Sequence, residues 1–341
     1  MIRLTWRQFQ ASAVGLFGAL AVLVALLGAT GAGLADEYDT GLTACTTAGG
    51  DCQVFIENFA DDHSATFLGV MAAMLLLPAL IGLFWGAPLI ARELESGTLR
   101  LVWNQSITRG RWFAVKLTLT GLATVVAAGA LAWVVNWWST PVDKSMAKDF
   151  ARMDPLMFGT RGIVVVGYAA FAFALGVVVG MLARKTLAAM AITLAVFVGL
   201  QIAMPILVRP HLAPAISTTV AVTEDNAADT QLSNGTTLLI SARPADKGAW
   251  ILADYTVDPS GKRVESITLP ASATQPGGAC APGKGRGSCL ELVADMGYRQ
   301  VLEYQPSGRY WGFQWGETGI YLGLALGLAG FCSWWVRRRL S

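Results

Sequence analysis

The chain has 341 residues, of which 54% are hydrophobic and 14% charged, and its mean hydropathy is +0.51. Soluble domains carry about 25% charged residues, so this composition excludes an ordinary soluble globule and reads as a polytopic membrane protein. The net charge of +2 is small, and it conceals a strong asymmetry along the chain.

Runs of about 20 apolar residues can each cross a bilayer. Six occur, near 12–34, 67–91, 112–135, 162–183, 187–208 and 318–336. Short cytoplasmic loops are enriched in Lys and Arg. With the N-terminus inside, residues 1–11, 92–116, 183–186 and 337–341 hold 12 basic residues against two acidic ones, Glu93 and Glu95. The outer segments then hold 13 basic and 21 acidic residues. The expected fold is an all-α polytopic membrane protein with six transmembrane helices, N-in and C-in. A small mixed α/β extracytoplasmic domain is expected between helices five and six. The expected divisions are 1–208 for helices one to five, 209–317 for the outer domain, and 318–341 for the sixth helix and its basic tail.

In chain order, "GAGLADE" after the first run offers a signal-peptidase cut. The apolar core is longer than the usual 7–15 residues or so of a signal peptide, so the run reads as a retained span. The first outer loop, 35–66, holds Cys45 and Cys52. The second run ends at the charged loop 92–111, considered below. Trp133, Trp137 and Trp138 close the third run on its outer side, as interfacial aromatics do. The fourth and fifth runs are separated only by "ARKT", so they form a tight helical hairpin. Gly167, Gly176 and Gly180 suit close helix packing. Gln201 is the main polar residue within the spans, and no Asp, Glu, Lys or Arg lies near the middle of any of them. Ion-coupled carriers place such residues at membrane depth, so no coupling apparatus is evident.

The outer segment 209–317 opens with the linker-like "RPHLAPA". Residues 236–242, 249–258 and 262–269 alternate and are β-branched, which predicts strands, with "DPSGK" as a turn. Residues 289–305 predict a helix with a stripe of Leu290, Val293, Met296 and Leu302, weakened by Gly297. Cys280 and Cys289 also enclose a short loop here. Disulfides persist outside the cytoplasm, so two are expected, Cys45–Cys52 and Cys280–Cys289, against the alternative of four free thiols. Cys332 in the last run reads as a small apolar packing residue. Trp311 and Trp315 precede that run, and Trp334 and Trp335 close it.

Catalytic signals fail. "GACAPGKG" fits the first seven places of a P-loop but lacks the Ser/Thr that holds magnesium. His63 and His211 are far apart, and no Cys/His spacing resembles a zinc site. No nucleophile elbow, carboxylate pair or dinucleotide fingerprint stands out. The expected assignment is no catalytic residue and no metal.

The charged loop is different. Leu94, Thr98, Leu101 and Gln105 recur at helical spacing, so residues 92–105 predict a short amphipathic helix, with a bend at Gly97 and an N-cap for the next helix at Ser106 or Thr108. "ARELESGTLRLVWNQSITRGRWFAVKL" resembles the loop between the second and third spans of ABC-2-type transporter permeases. The matching residues are Arg92, Glu93, Glu95, Gly97, Thr98, Leu99, Leu101, Ser106, Arg109 and Lys116. The family's usual proline is absent, with Gln105 in its neighbourhood. Residues 304–339 also resemble actinobacterial permeases of this type, and the span count and large outer segment fit the class.

The resemblance implies an exporter subunit in a bacterial plasma membrane, paired with another permease as a homodimer or heterodimer. Two copies of a separately encoded ABC ATPase would carry the ATP and magnesium, with no cofactor on this chain and no nucleic-acid partner. Glu93, Glu95 and Arg100 would make polar contacts with the ATPase, and Leu94, Leu101 and Val102 apolar ones. "MIRLTWRQFQ" would lie along the membrane as an interfacial helix. The competing reading is a non-transporting sensor or immunity protein that uses its outer domain. A membrane enzyme lacks any catalytic constellation to support it.

Overall fold

The structure is a computed structural model that describes residues 2–50, 52–97, 109–146, 151–281 and 283–338, the side chains of 2–13, 16, 17, 19 and 109 excepted. It divides into two compact units. One comprises Met1–Met146, Leu156–Arg209 and Trp311–Ser341, and the other Ala147–Pro155 with Pro210–Tyr310.

The first unit is helical. Its main helices are α1 (Ile2–Thr47), α2 (Gln53–Ile81), α3 (Pro88–Glu95) and α4 (Arg109–Trp138). The short α5 (Thr140–Ser145) and α6 (Pro155–Gly159) lead to α7 (Val164–Ala183) and α8 (Thr186–Ala203). Six helical stretches are long and apolar enough to cross a membrane, so the chain is a multi-pass membrane protein. α1 is continuous from Ile2, so the N-terminal residues do not form the separate interfacial helix expected of them.

α7 is the centre of this unit, with most of its residues buried, whereas α1 and α8 are largely exposed. The packing around α7 depends on glycine. A Cβ on Gly176 would lie 2.4 Å from the Gly82 carbonyl oxygen, and one on Gly180 would lie 2.3 Å from that of Ala87. The helices therefore meet backbone to backbone, as the glycine spacing predicted. On the facing chain, α2 gives way to a π-turn, Gly82–Gly86, in which the Ala87 N–H bonds the Gly82 carbonyl at 2.9 Å. The widened turn ends just before Pro88, which has no N–H to continue an α-helical ladder. Ala87 and Ala91 then pack on Ala189 of α8.

A second π-turn, Met204–Val208, contains Pro205 and extends α8. The buried face of α8 runs through Ala189, Thr193, Phe197 and Met204. Helical spacing would next bring in Val208, but the extra residue in the turn substitutes Arg209. Val208 is 38% exposed and Arg209 1%.

The second unit contains two antiparallel sheets, ordered β1-β7-β4-β5 and β2-β3-β6. The strands are β1 (Ile216–Val220), β2 (Ala227–Ser233), β3 (Thr237–Ala242), β4 (Trp250–Val257), β5 (Arg263–Val264), β6 (Ile267–Thr268) and β7 (Arg299–Gln305). Asn234 and Gly235 take positive φ, 50° and 71°, and turn β2 back into β3. The single strand expected over 262–269 is two short ones in different sheets. The helix expected over 289–305 is also divided. After α9 (Ala271–Thr274), α10 spans Arg286–Asp295, Gly297 at φ +83° reverses the chain, and the rest forms β7. Leu302 therefore belongs to a strand, where its even-numbered position faces the core with Leu290, Val222 and Ala242. β1 and β2 had no expectation in the sequence.

Cys45–Cys52 and Cys280–Cys289 are disulfide-bonded, as their spacing predicted, and Cys332 is a buried free thiol. The two sheets share a polar link. The Asp254 carboxylate accepts from the Ala242 N–H at 3.1 Å and from Gln300 Nε2 at 3.0 Å, and the same Gln300 nitrogen donates to the Ile240 carbonyl at 2.6 Å.

Candidate functional site

Arg92, Glu93, Leu94 and Glu95 form the last turn of α3. Of the amphipathic helix expected over 92–105, with its bend at Gly97, the described residues are 92–97. α3 begins at Pro88 and stops at Glu95; the Ser96 N–H closes on the Arg92 carbonyl at 3.0 Å, and Gly97 takes φ +69°. That left-handed conformation ends helices, and glycine adopts it without a steric penalty. Thr98, Arg100, Leu101, Val102 and Ser106 lie outside the described residues, and Arg109 opens α4 with its side chain outside them.

The two acids of the motif turn inward. Glu93 is buried, and its Oε1 accepts from Lys116 Nζ at 2.5 Å. Lys116 is itself buried on α4, with its ammonium 5.1 Å from the Trp112 ring centroid. Taking an ion pair out of water is costly, and removing one partner costs about 3–5 kcal/mol because the other charge is left buried. Glu95 is exposed but equally committed. Its Oε2 accepts from the Thr186 N–H at 3.0 Å and the Thr186 hydroxyl at 2.7 Å. Thr186 is the first residue of α8, so Glu95 supplies the acceptor that an N-cap side chain would provide. No such bond comes from Lys185, the N-cap itself. The end of α3 is thereby tied to α4 by one carboxylate and to α8 by the other. Arg92 remains exposed, and Leu94 is half-buried.

A second polar constellation lies at the opposite ends of these helices, where α8 leads into Arg209 and α11 (Tyr310–Arg338) begins. Glu317 is fully buried, and its carboxylate accepts from Arg209 Nε at 2.8 Å, Arg209 Nη2 at 3.1 Å and the Tyr168 hydroxyl. The Arg209 guanidinium also lies 4.2 Å from the Phe158 ring centroid. One turn along α11, the Tyr321 hydroxyl donates to Gln201 at 3.3 Å. One turn the other way, Gln314 Oε1 accepts from the Val164 N–H at 2.9 Å, which satisfies a free donor at the start of α7, and its Nε2 donates to the Phe158 and Arg161 carbonyls at 3.2 Å. Arg161 is buried too. It pairs with Asp143, and its guanidinium lies 4.9 Å from the Phe67 ring centroid.

The Arg209–Glu317 pair had no expectation in the sequence, although a signal was present. Gln314, Glu317, Thr318 and Tyr321 fall at i, i+3, i+4 and i+7, one face of a helix. Starting the sixth span at 318 cut that stripe in two, whereas α11 starts at Tyr310. Arg209 carried no comparable signal, because the π-turn before it breaks the helical spacing.

These groups hold helices together through charge and hydrogen bonds, and none is arranged as a nucleophile with its base. A family model described as "ABC-2 membrane transporter related" matches residues 17–209, more than half of the chain. Comparison with curated proteins and with solved structures found no match. The matched stretch runs from α1 to Arg209 and includes α3 with both of its carboxylate ties, and the chain belongs to the ABC-2 membrane transporter related family.

Proposed function

We propose that the chain is the permease subunit of an ATP-driven exporter in a bacterial plasma membrane, coupled through residues 92–111 to a separately encoded ABC ATPase. Two ATPase copies carry the ATP and magnesium, and a second permease, identical or related, completes the translocation path. The basic short loops support an N-in, C-in orientation, which puts the 92–111 loop on the ATPase side and the 210–310 unit outside.

The observation that carries this reading is the pair of ties from α3. A push on the exposed end of α3 moves α4 through Glu93–Lys116 and α8 through Glu95–Thr186. The acids of the motif therefore transmit force inside the permease. Arg92 and Leu94, with Gly97, Thr98, Arg100, Leu101, Val102, Ser106 and Arg109, are left as the contact with the ATPase. In this arrangement Arg92 meets an acidic or carbonyl-lined groove.

The test is a tagged pull-down from native membranes with mass spectrometry. A stoichiometric ATPase is expected with the wild type. Arg92→Glu is expected to reduce its recovery at least ten-fold with membrane insertion unchanged. Intact protein recovered with no ATPase would move the assignment to a sensor acting through the outer unit.

A further inference from the structure

The sheet β1-β7-β4-β5 buries one face and leaves the other open. Asp254, Thr256, Gln300 and Leu302 point to the buried side, so their alternate neighbours line the open side. Register places Arg263, Val257 and Arg299 in one row across β5, β4 and β7, and Tyr255, Val301 and Thr219 in the next row across β4, β7 and β1. These rows floor a cleft of about 720 Å³, within the roughly 300–1,000 Å³ common for small-molecule sites. Its rim is the turn Asp258–Gly261, where Pro259 packs against Gly297.

The charges on this face are separated. The Arg263 guanidinium lies 4.6 Å from the Tyr255 ring centroid, so it leans over the floor. Neither Arg263 nor Arg299 is within ion-pair distance of a carboxylate among the described residues. Asp258, on the rim, is occupied by its own turn. It accepts from the Ser260 N–H at 2.9 Å, the Ser260 hydroxyl at 2.6 Å and the Lys262 N–H at 3.0 Å, which hold its carboxyl below the usual range. Glu303 also lines the cleft, at the end away from the arginines: it lies four residues along β7 from Arg299, about 13 Å at 3.3 Å per residue.

We propose that this cleft binds a small soluble ligand carrying a carboxylate or phosphate, held by Arg263 and Arg299, with a planar or apolar body resting on Val257, Val301 and Tyr255. Arginine forks suit both anions, since each can accept two parallel hydrogen bonds. Val257 lies between the two arginines in their row, so both can reach an anion above it. The proposal is independent of the exporter reading, because it uses only residues of the second unit.

The experiment is a calorimetric titration of the full-length protein in phosphatidylcholine nanodiscs. Probes are 1-naphthyl phosphate, 2-naphthoate, inorganic phosphate and neutral 2-naphthol. Saturable binding is expected for the naphthyl anions, weaker binding for inorganic phosphate, and none for naphthol. Affinity is expected to fall at least ten-fold in R263A/R299A. The fold-preserving R263K/R299K, which keeps the charge and loses the fork, is expected to lose three- to ten-fold. A parallel arm adds vesicles of pure phosphatidylglycerol. No association there supports a soluble ligand, whereas arginine-dependent association without naphthyl phosphate binding would assign the cleft to lipid headgroups and overturn the soluble source. Absence of saturable binding to any anion, or equal binding by wild type and both variants, overturns the site.

Discussion

Glu317 shows how much one side chain can decide in a low-dielectric setting. It accepts from Arg209 twice and from Tyr168 once, with no water-facing surface. Glu317→Gln keeps the shape and removes the charge, taking from the buried Arg209 the carboxylate that accepts from it twice. The expected cost is about 3–5 kcal/mol, while the double replacement R209M/E317L is expected to cost less than the single change, because it leaves no orphaned ion. Thermal unfolding of both variants in detergent checks the order; a double mutant less stable than E317Q would refute the account. Asp254 gives a residue-scale prediction in the second unit. Burial raises its carboxyl above the ordinary range, and the Ala242 N–H only partly offsets this. The folded state therefore holds the proton more tightly than the unfolded state. Its contribution to stability is greatest at low pH and falls as pH rises from the ordinary value near 3.9 through the raised one. Asp254→Asn should flatten that dependence, so protection of the Ala242 amide from hydrogen exchange, corrected for intrinsic rate, should fall with pH in the wild type and not in the variant. A parallel pH profile in the two proteins would exclude the effect.

Among the elements, α7 and the π-turn it crosses have the least room to adjust. The atoms that a Cβ on Gly176 would meet are backbone atoms of Gly82, Gly86 and Ala87, which cannot swing aside as a flexible side chain can. Gly176→Ala is expected to destabilise the helical unit by about 1–3 kcal/mol, seen as a lower thermal midpoint. Gly323→Ala on α11, where an added Cβ meets nothing within 4 Å, should stay within about 0.5 kcal/mol of wild type; equal effects at both sites would refute the close-packing argument. The six spans were legible because hydrophobic length is a one-dimensional property. So were the glycines, which sit at helical spacing, and the disulfides, which close short loops. The inward turn of Glu93 was not legible. Its spacing is compatible with an exposed face, and its partner Lys116 lies 23 residues away. The break after α3 was legible, because Gly97 marks it in the sequence and takes φ +69° in the structure. In the second unit, β7 was read as helix because Leu290, Val293 and Leu302 fit a helical stripe, and only Gly297 marked the reversal.

At the scale of the whole molecule, a helical unit is interrupted in sequence by a disulfide-bearing sheet unit, and the chain returns to the helices through α11. Residues 210–310 and α11 lie beyond the matched residues 17–209, so their roles rest on local chemistry alone. The ion pair that receives α11 is 108 residues apart in sequence. At a synthesis rate of about 5–20 residues per second, α11 reaches the ribosome's active site roughly 5–20 s after Arg209 does. Throughout that interval the nascent chain carries an arginine with no Glu317 to meet it, while the intervening residues, with their own cysteine pair, are already being made. Birth order thus separates the two charges in time, and α11 joins the ends of α7 and α8 only after both have been made.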